Sequence, residues 1–136
     1  MASATCYALR LHVSAAPPQD GLTQALGPMI TITASDIRQV LTQWALGNLT
    51  ESQVHAWAED RFCTSSYECE SEAANEVLSR LDMMDMNLLT SEDIPVLLDA
   101  LSSPQYLSIL EKYEQQVDIS ARRTALRHVQ LYSRYC

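Results

Sequence analysis

Glycine, the residue that most readily forms tight turns, is scarce in this sequence. Its 136 residues include only three Gly and one Phe, and its apolar residues lean towards Leu and Ala, which are strong helix formers. A β-sandwich needs many tight turns, and so few Gly leave little scope for them. With 47% apolar residues available for a core, we expect an all-α fold, a compact bundle of five or six short helices in a single domain.

Signatures of catalytic and phosphate-binding sites are also missing. The three glycines are isolated from one another, so the sequence has no Gly-rich phosphate loop. The three histidines lie in unrelated contexts, and no Cys has the flanking motif of an activated nucleophile. We therefore expect a protein that is not an enzyme and that binds no cofactor.

The four cysteines follow neither a zinc-binding nor a secretory pattern. They form no C-x-x-C pair, and Cys63 and Cys69 have no nearby His, so we expect no metal site. No stretch approaches the roughly 20 apolar residues that span a membrane. Arg10 and His12 interrupt the N-terminal region where a secretory signal would need a continuous apolar run. We expect a cytoplasmic protein with reduced thiols.

The net charge of −8 is concentrated in the middle of the chain. Residues 51–99 carry twelve acidic residues against Arg61 and Arg80, which gives −10, while residues 1–50 sum to zero and residues 100–136 to +2. Such a segment repels nucleic acid and anionic lipid and favours a partner with a basic surface. The alternative is that the acidic helices only keep a small protein soluble, and the sequence leaves both interpretations open.

The first 28 residues differ from the rest of the chain. The run from Ser14 to Gly21 is turn-like, and Gly27-Pro28 is a break directly before Met29. One hypothesis is that Met29 is the natural initiator and that residues 1–28 come from a misplaced start. The other is an N-terminal arm that is disordered. We favour the first hypothesis and assign residues 29–136 to the helical bundle domain.

Capping and stop signals mark the first two helices. The first helix is predicted to begin after Thr33 or Ser35 and to stop at Gly47-Asn48, which supplies the left-handed residue of a helix end. Thr50 and Gln53 form a capping box for the second helix.

The two tryptophans lie on the apolar faces of these two helices. Trp44 and Trp57 are therefore expected to be buried together in an antiparallel helix pair. The polar stretch 63–69 is typical of a loop or a frayed turn, and a third helix is predicted over about residues 70–84.

Weaker signals mark the later helices. Thr90–Asp93 and Ser103-Pro104 each resemble a helix start, although Pro95 leaves open whether the fourth helix is capped by Thr90 or by Asp93. A last helix is predicted from apolar residues at helical spacing: Leu126, Val129, Tyr132 and Cys136.

Two groups of side chains at helical spacing could carry chemistry. Glu51, His55 and Glu59 fall at i, i+4 and i+8 on one helix face, a set that a metal would accept in principle. Glu72 and Glu76 form a similar pair, which does acid–base chemistry only in a pocket that separates their pKa values. For both groups we favour the simpler interpretation, a solvated and charged helix face.

A Met-rich stretch and an Arg-rich stretch complete the candidates. Met83–Leu89 contains three methionines, which either line an adaptable recognition surface or plug the end of the bundle, and we favour the plug. Four arginines give the last helix a basic face, and we expect them to pair within the protein or in a dimer: Arg122, Arg123, Arg127 and Arg134.

The pattern of residues 32–101 resembles that of a group of small bacterial proteins. It begins with Ile-Thr-Ala-Ser-Asp-Ile-Arg at 32–38, continues with Trp-Ala-Leu-Gly-Asn-Leu-Thr-Glu-Ser at 44–52, and includes Asp-Met-Met-Asp-Met-Asn-Leu-Leu at 82–89. In size, helicity and acidity the chain is also similar to the immunity proteins that neutralise contact-dependent growth-inhibition toxins and colicin-like nucleases. The resemblance covers about 70 of the 136 residues.

This resemblance implies a stoichiometric inhibitor of a bacterial toxin. Nuclease toxins present basic surfaces, and an acidic helical face can dock there as a mimic of the nucleic acid, with electrostatic steering of the encounter. The expected contacts are acids of the second and third helices with one aromatic residue: Glu59, Asp60, Tyr67, Glu68, Glu70, Glu72 and Glu76. The alternative is a homodimeric regulatory or adaptor protein that associates through its Met-rich helix end.

Deletion of residues 1–28 tests the first hypothesis for the N-terminus. If Met29 is the natural start, the melting temperature of the shortened protein, followed by circular dichroism, should be nearly that of the full chain. A fall of several degrees would show instead that the N-terminal residues pack against the bundle.

Overall fold

A computed structural model describes residues 30–63 and 67–136 of the chain. Within these ranges 67% of the residues are helical, which confirms the all-α prediction apart from two very short strands. Both hypotheses for residues 1–28 concern a part of the chain outside these ranges. None of the described helices is long and apolar enough to span a membrane.

The described ranges contain seven α-helices, one more than the upper number expected. The single last helix predicted from the sequence is two short helices, because Val129 is extended and separates them. A turn of 3-10 helix, Ser91–Asp93, precedes the fourth helix directly. The elements are β1 Ile30–Ile32, α1 Ala34–Ala45, α2 Glu51–Cys63, β2 Tyr67–Cys69, α3 Glu72–Asp82, α4 Ile94–Leu101, α5 Tyr106–Gln116, α6 Ile119–Leu126 and α7 Gln130–Ser133.

The capping predictions for α1 and α2 are confirmed. Thr33 caps α1, with its hydroxyl accepting from the Asp36 amide at 3.0 Å while the Asp36 carboxylate accepts from the Thr33 amide at 3.0 Å. Gly47 follows this helix with a φ of +82°, the left-handed conformation that Gly adopts without strain. Thr50 and Gln53 form the expected capping box, with distances of 3.2 and 2.9 Å.

A small parallel sheet replaces part of the loop predicted at 63–69. Residues Tyr67–Cys69 pair with Ile30–Ile32, so that Ile30 lies opposite Tyr67 and Ile32 opposite Cys69. Parallel strands need a long crossover connection, and here α1 and α2 form it. The loop prediction failed because a strand of three residues is too short to show an alternating pattern.

Helix α3 is the central element of the core. The six residues predicted on its apolar face are all buried: Ala73, Ala74, Val77, Leu78, Leu81 and Met84. The helix contacts α2, α4, α1, α5 and β2. Met84 is fully buried, which supports the interpretation that this methionine plugs the bundle, whereas Met86 is 40% exposed.

The two tryptophans differ in burial, so the prediction for this pair was half wrong. Trp44 is 3% exposed, and its Nε1 donates to the Glu51 carboxylate at 3.0 Å. Trp57 is only half-buried, and the Arg61 guanidinium lies over its ring at 4.7 Å from the centroid. The apolar pattern could not distinguish a core position from one shielded by a cation–π contact.

The connection between α3 and α4 resolves the boundary that the sequence left open. Thr90 begins the 3-10 turn in a capping box with Asp93, and Asp93 then occupies the N-cap position of α4, with Pro95 in the first turn. Leu88 lies at a φ of 56°, which a residue with a side chain adopts only where the surrounding structure holds it. Leu88 is buried, and its carbonyl accepts from Arg122 at 3.1 Å.

The last three helices bury few side chains. Helices α5 and α7 each bury one residue, Leu110 and Tyr132, and α6 buries none. The Tyr132 hydroxyl donates to the Leu89 carbonyl, and burial raises the pKa of this tyrosine. The end of the chain is therefore attached to the core through polar contacts with the connection 88–93 as well as through apolar packing.

Replacement of each tryptophan by Ala should distinguish the buried Trp44 from the half-buried Trp57 by the stability that each variant loses. We expect Trp44→Ala to lower the free energy of unfolding by about 3–5 kcal/mol, the range for a fully buried aromatic residue. Trp57→Ala should cost less, because part of its side chain is already in contact with water. Urea unfolding followed by circular dichroism measures both, with Trp44→Phe as a control that keeps most of the buried area. Equal losses at the two positions would contradict the assigned burial.

Candidate functional site

Only half of the acidic residues in segment 51–99 are exposed. Four others, Glu51, Glu59, Glu76 and Asp85, are half-buried, and Asp82 and Asp93 are buried at 5% and 2% exposure. The segment therefore presents fewer charges to a partner than its sequence indicates. The exposed acids are Asp60, Glu68, Glu70, Glu72, Glu92 and Asp99.

Four of the predicted contact residues lie together around β2, and we call them the β2 surface: Tyr67, Glu68, Glu70 and Glu72. Successive side chains of a strand point to opposite sides, so Tyr67 and Cys69 are half-buried while Glu68 is exposed. The Tyr67 ring packs at a tilted angle on Phe62, with 5.6 Å between centroids. On the inner side, burial raises the pKa of the Cys69 thiol.

Glu70 was assigned to solvent, but it has a structural contact. Its carboxylate accepts from the Ala34 amide at 2.9 Å, at the first residue of α1. A carboxylate is stabilising there because helix N-termini carry unpaired amides and a partial positive charge. Glu70 thus joins β2 to α1 and is only in part available to a partner.

The predicted pair Glu72 and Glu76 belongs to a polar row between α3 and α5. Glu72 accepts from the Tyr106 hydroxyl at 3.1 Å. Arg80 binds Glu76 and also donates through Nε to Glu114 at 2.8 Å. Moving eight residues along α3, from Glu72 to Arg80, moves the contact eight residues along α5, from Tyr106 to Glu114. The two helices therefore run in the same direction. We call these five residues the polar row.

The last two predicted residues, Glu59 and Asp60, lie on α2. Asp60 is exposed, with its carboxylate 3.3 Å from Arg61. Glu59 is half-buried, and its Oε2 lies out of contact with solvent without a hydrogen-bond partner. A buried oxygen without a partner is costly. Because Glu59 is half-buried, it contributes little charge to the surface. No described hydrogen bond joins it to the β2 surface.

The face formed by Glu51, His55 and Glu59 is not solvated as expected. Glu51 accepts from Trp44, and the His55 Nε2 lies 3.0 Å from the Asp82 carbonyl and 3.6 Å from the Asp85 carboxylate. This face therefore joins α2 to its neighbours. In the part of the chain that the structure describes, no three His, Cys, Asp or Glu side chains are grouped so that they could hold a metal ion.

A pocket of about 440 Å³ lies at the C-terminal ends of α3 and α5, and sequence reasoning missed it. Its deepest residues, Leu97 and Leu110, are each 1% exposed. Around them lie apolar side chains from three parts of the chain, Met83, Val96 and the neighbouring Val117 and Ile119, together with polar ones such as Ser79 and Asn87. Because these residues are distant in sequence, no local pattern predicts that they meet.

A buried ion pair forms the polar side of this pocket. Arg122 binds both oxygens of Asp93, at 2.7 and 2.8 Å, and the Tyr113 hydroxyl donates to the same carboxylate. The hydrogen bond to Asp93 raises the pKa of Arg122, while burial and the same carboxylate raise the pKa of Tyr113. At physiological pH, Arg122 therefore stays charged and Tyr113 stays neutral.

The basic face expected on the last helix is divided. Arg122 pairs within the protein, as we expected for all four arginines of this face. Arg123, Arg127 and Arg134 are exposed instead. Among the ion pairs of residues 30–63 and 67–136, none includes Arg123, Arg127 or Arg134. Those three charges lie at the end of the chain, apart in sequence from the β2 surface.

Comparison with known proteins gives no relative from which a function could be transferred. No protein-family model, curated protein or solved structure matches the chain. The interpretation of the β2 surface and of the pocket therefore depends on their own residues.

Replacement of Arg122 tests the buried ion pair. Arg122→Met leaves Asp93 buried without its cation, and we expect a loss of about 3–5 kcal/mol in the free energy of unfolding. Its exposed neighbour provides a matched control, since Arg123→Met should change stability by no more than about 0.5 kcal/mol. Urea unfolding compares the two variants, and hydrogen exchange should show faster opening of residues 117–136 in the first. Similar results for both variants would contradict a structural role for the pair.

Proposed function

We propose that this chain is a non-catalytic, cytoplasmic protein-binding module, an immunity protein that neutralises a cognate bacterial toxin by binding it stoichiometrically. The observation that carries the proposal is the segregation of charge. The segment 51–99 holds twelve acids against two arginines, and three of its exposed acids, Glu68, Glu70 and Glu72, are adjacent on the β2 surface.

The proposed partner presents a basic surface to the β2 surface. Exposed charges act over about 8 Å at physiological ionic strength and mainly increase the rate of encounter. Tyr67 is half-buried on the other side of the strand from Glu68, so we assign only its exposed part to the edge of the interface. Of the two acids near the end of α2, the exposed Asp60 is assigned to the periphery of the same interface, whereas the half-buried Glu59 contributes little to it.

A homodimeric regulatory or adaptor protein is the second candidate function. The observation that favours it is Met86, which is 40% exposed beside the fully buried Met84. Exposed methionines suit adaptable contacts, so the turn after α3 would then be the contact between two copies of the chain.

The salt dependence of partner binding tests the first proposal. A partner is isolated on the immobilised full-length protein, identified by mass spectrometry, purified, and studied by surface plasmon resonance. We expect the association rate constant to fall steeply as salt rises, and the double variant Glu68→Lys, Glu72→Lys to slow association more than it speeds dissociation.

A control variant and a growth assay complete this experiment. Glu111→Lys makes the same kind of charge change at an exposed position of α5 and should have a smaller effect per residue. The partner alone should inhibit bacterial growth, and co-expression of this chain should relieve the inhibition. A partner whose affinity is indifferent to salt and to both variants would show that the acidic residues only confer solubility.

A further inference from the structure

The charges that line the pocket cancel. They belong to two arginines and two carboxylates, and each arginine binds one of the carboxylates. Arg80 donates through Nε to Glu114 at 2.8 Å, and Arg122 donates to both oxygens of Asp93. The helix ends cancel as well, because α4 and α6 begin at the pocket while α3 and α5 end there, and the two kinds of terminus carry partial charges of opposite sign. Among the described residues that line the pocket, a charged ligand would therefore meet no unpaired group of opposite charge.

The inner part of the pocket suits an apolar group. Its floor is formed by the two leucines of α4 and α5 that are each 1% exposed. The buried carboxylate beside them is saturated, because each oxygen of Asp93 already accepts two hydrogen bonds, from Thr90, Tyr113 and Arg122. A ligand therefore meets apolar surface at this depth and gains no hydrogen bond from Asp93.

Two uncharged polar side chains of the pocket are available to a ligand. Ser79 lies on α3, and Asn87 lies in the turns that continue this helix, since the Asn87 amide donates to the Met83 carbonyl at 3.0 Å. Both side chains line the pocket, one on either side of Met83. Among the hydrogen bonds of residues 30–63 and 67–136, none involves the Ser79 hydroxyl or the Asn87 carboxamide. Hydroxyl and carboxamide groups both donate and accept, so either can bind an uncharged polar group of a ligand.

The volume of the pocket sets the size of its ligand. About 440 Å³ is roughly three times the volume of a cavity that holds benzene, and it lies within the range of small-molecule sites. One side chain of a partner protein would leave most of this volume empty. Ser79 and Asn87 are eight residues apart, about 12 Å along a helix at 1.5 Å per residue, which a molecule of roughly three rings can span.

We propose that this pocket binds a neutral small molecule that has an apolar body of roughly two or three rings and at least one uncharged hydrogen-bonding group. The apolar body lies on the leucine floor, and Ser79 or Asn87 binds the polar group. None of the four residues of the β2 surface lines the pocket, so this inference does not depend on the proposed partner protein. Because the ligand contacts α3, α4, α5 and α6 at once, its binding stabilises their arrangement in the folded state.

A pair of fluorescent dyes with one skeleton tests the inference on the full-length protein. The probe is N-phenylnaphthylamine, a neutral molecule of three aromatic rings with one N–H group, whose fluorescence rises when it leaves water. We expect saturable binding of one dye molecule per chain. Anilinonaphthalene sulfonate has the same rings and adds a sulfonate, and it should bind at least about tenfold more weakly, because the pocket offers no unpaired cation to offset the desolvation of its charge.

Variants that fill the pocket locate the binding site. Ile119→Trp places a large ring at the rim, where Ile119 is 36% exposed, and should weaken binding of the neutral dye at least about tenfold, the effect of losing a well-buried apolar contact. Val129→Trp is the matched control, because Val129 is exposed to a similar degree, 37%, and does not line the pocket. Val96→Trp fills another wall and should act in the same way as Ile119→Trp. Circular dichroism checks that each variant is folded.

A second set of variants tests the polar contacts. The double variant Ser79→Ala, Asn87→Leu removes both groups that can bind the N–H of the dye, and it should weaken binding several-fold, the effect of losing one neutral hydrogen bond. The double variant Ser108→Ala, Asn75→Leu is the matched control. It makes the same two changes at exposed positions of α5 and α3 that do not line the pocket, and it should bind the dye like the wild type.

Three results would overturn the inference. Fluorescence that does not saturate, or that persists in both Ile119→Trp and Val96→Trp, would show that the dye binds elsewhere. A sulfonated dye that binds as tightly as the neutral one would contradict the neutral class of ligand. A full chain that sediments as a dimer, and as a monomer after Ile119→Trp, would mean that a second copy occupies the pocket. The double variant Glu68→Lys, Glu72→Lys should bind the dye normally, so failure of the proposed partner and failure of this site are distinguishable.

Discussion

The Asp93 carboxylate is the group on which the arrangement of the second half of the protein depends. It closes the capping box with Thr90, stands at the N-cap position of α4, and binds Tyr113 of α5 and Arg122 of α6. A carboxylate that is 2% exposed would be very costly without partners. Its four hydrogen bonds offset this desolvation cost only when α4, α5 and α6 lie in one relative arrangement. Asp93 therefore fixes how these three helices are placed relative to one another.

Such a pair adds specificity to the fold more than net stability. Apolar replacements of similar volume often stabilise a protein as well as a buried ion pair does, whereas the loss of one partner is strongly destabilising. That distinction matters here because α5, α6 and α7 bury only Leu110 and Tyr132. Tyr106, Leu126, Leu131 and Tyr135 are only partly buried against the core, so the position of the last helices depends on directional contacts as well as on apolar packing. The Tyr132 hydroxyl and the Arg122 guanidinium both bind carbonyls of the turn at 88–89.

Local features of the sequence predicted local features of the fold. Capping at Thr33 and Thr50, the stop at Gly47 and the buried face of α3 depend on residues within one or two helical turns, and all are confirmed. Features that failed depend either on a distant partner or on a kind of contact that hydrophobic periodicity does not report. The pairing of β1 with β2 joins residues 37 apart, and Trp57 is shielded by Arg61 in a way that hydrophobic periodicity does not represent.

The acidic surface shows the same limit. Counting charges gave −10 for the segment 51–99, but the sequence could not show that Asp93 lies in the core, that Glu70 meets the start of α1, or that Glu114 of α5 reaches Arg80. Each internal contact removes a charge from the set that is free on the surface. The pocket could not be predicted from the sequence for a related reason, because its residues come from four helices and the turns between them.

A protein with this distribution of charge needs shape as well as charge to be selective. Exposed carboxylates attract any basic surface, and their effect fades within about 8 Å at physiological ionic strength. Selectivity among basic partners therefore has to come from groups that act at contact distance and reject a poor fit. One concave site in the described part of the chain is the pocket whose lining includes Asp93 and Arg122. The ion pair that fixes the last helices thus also fixes the shape of this pocket.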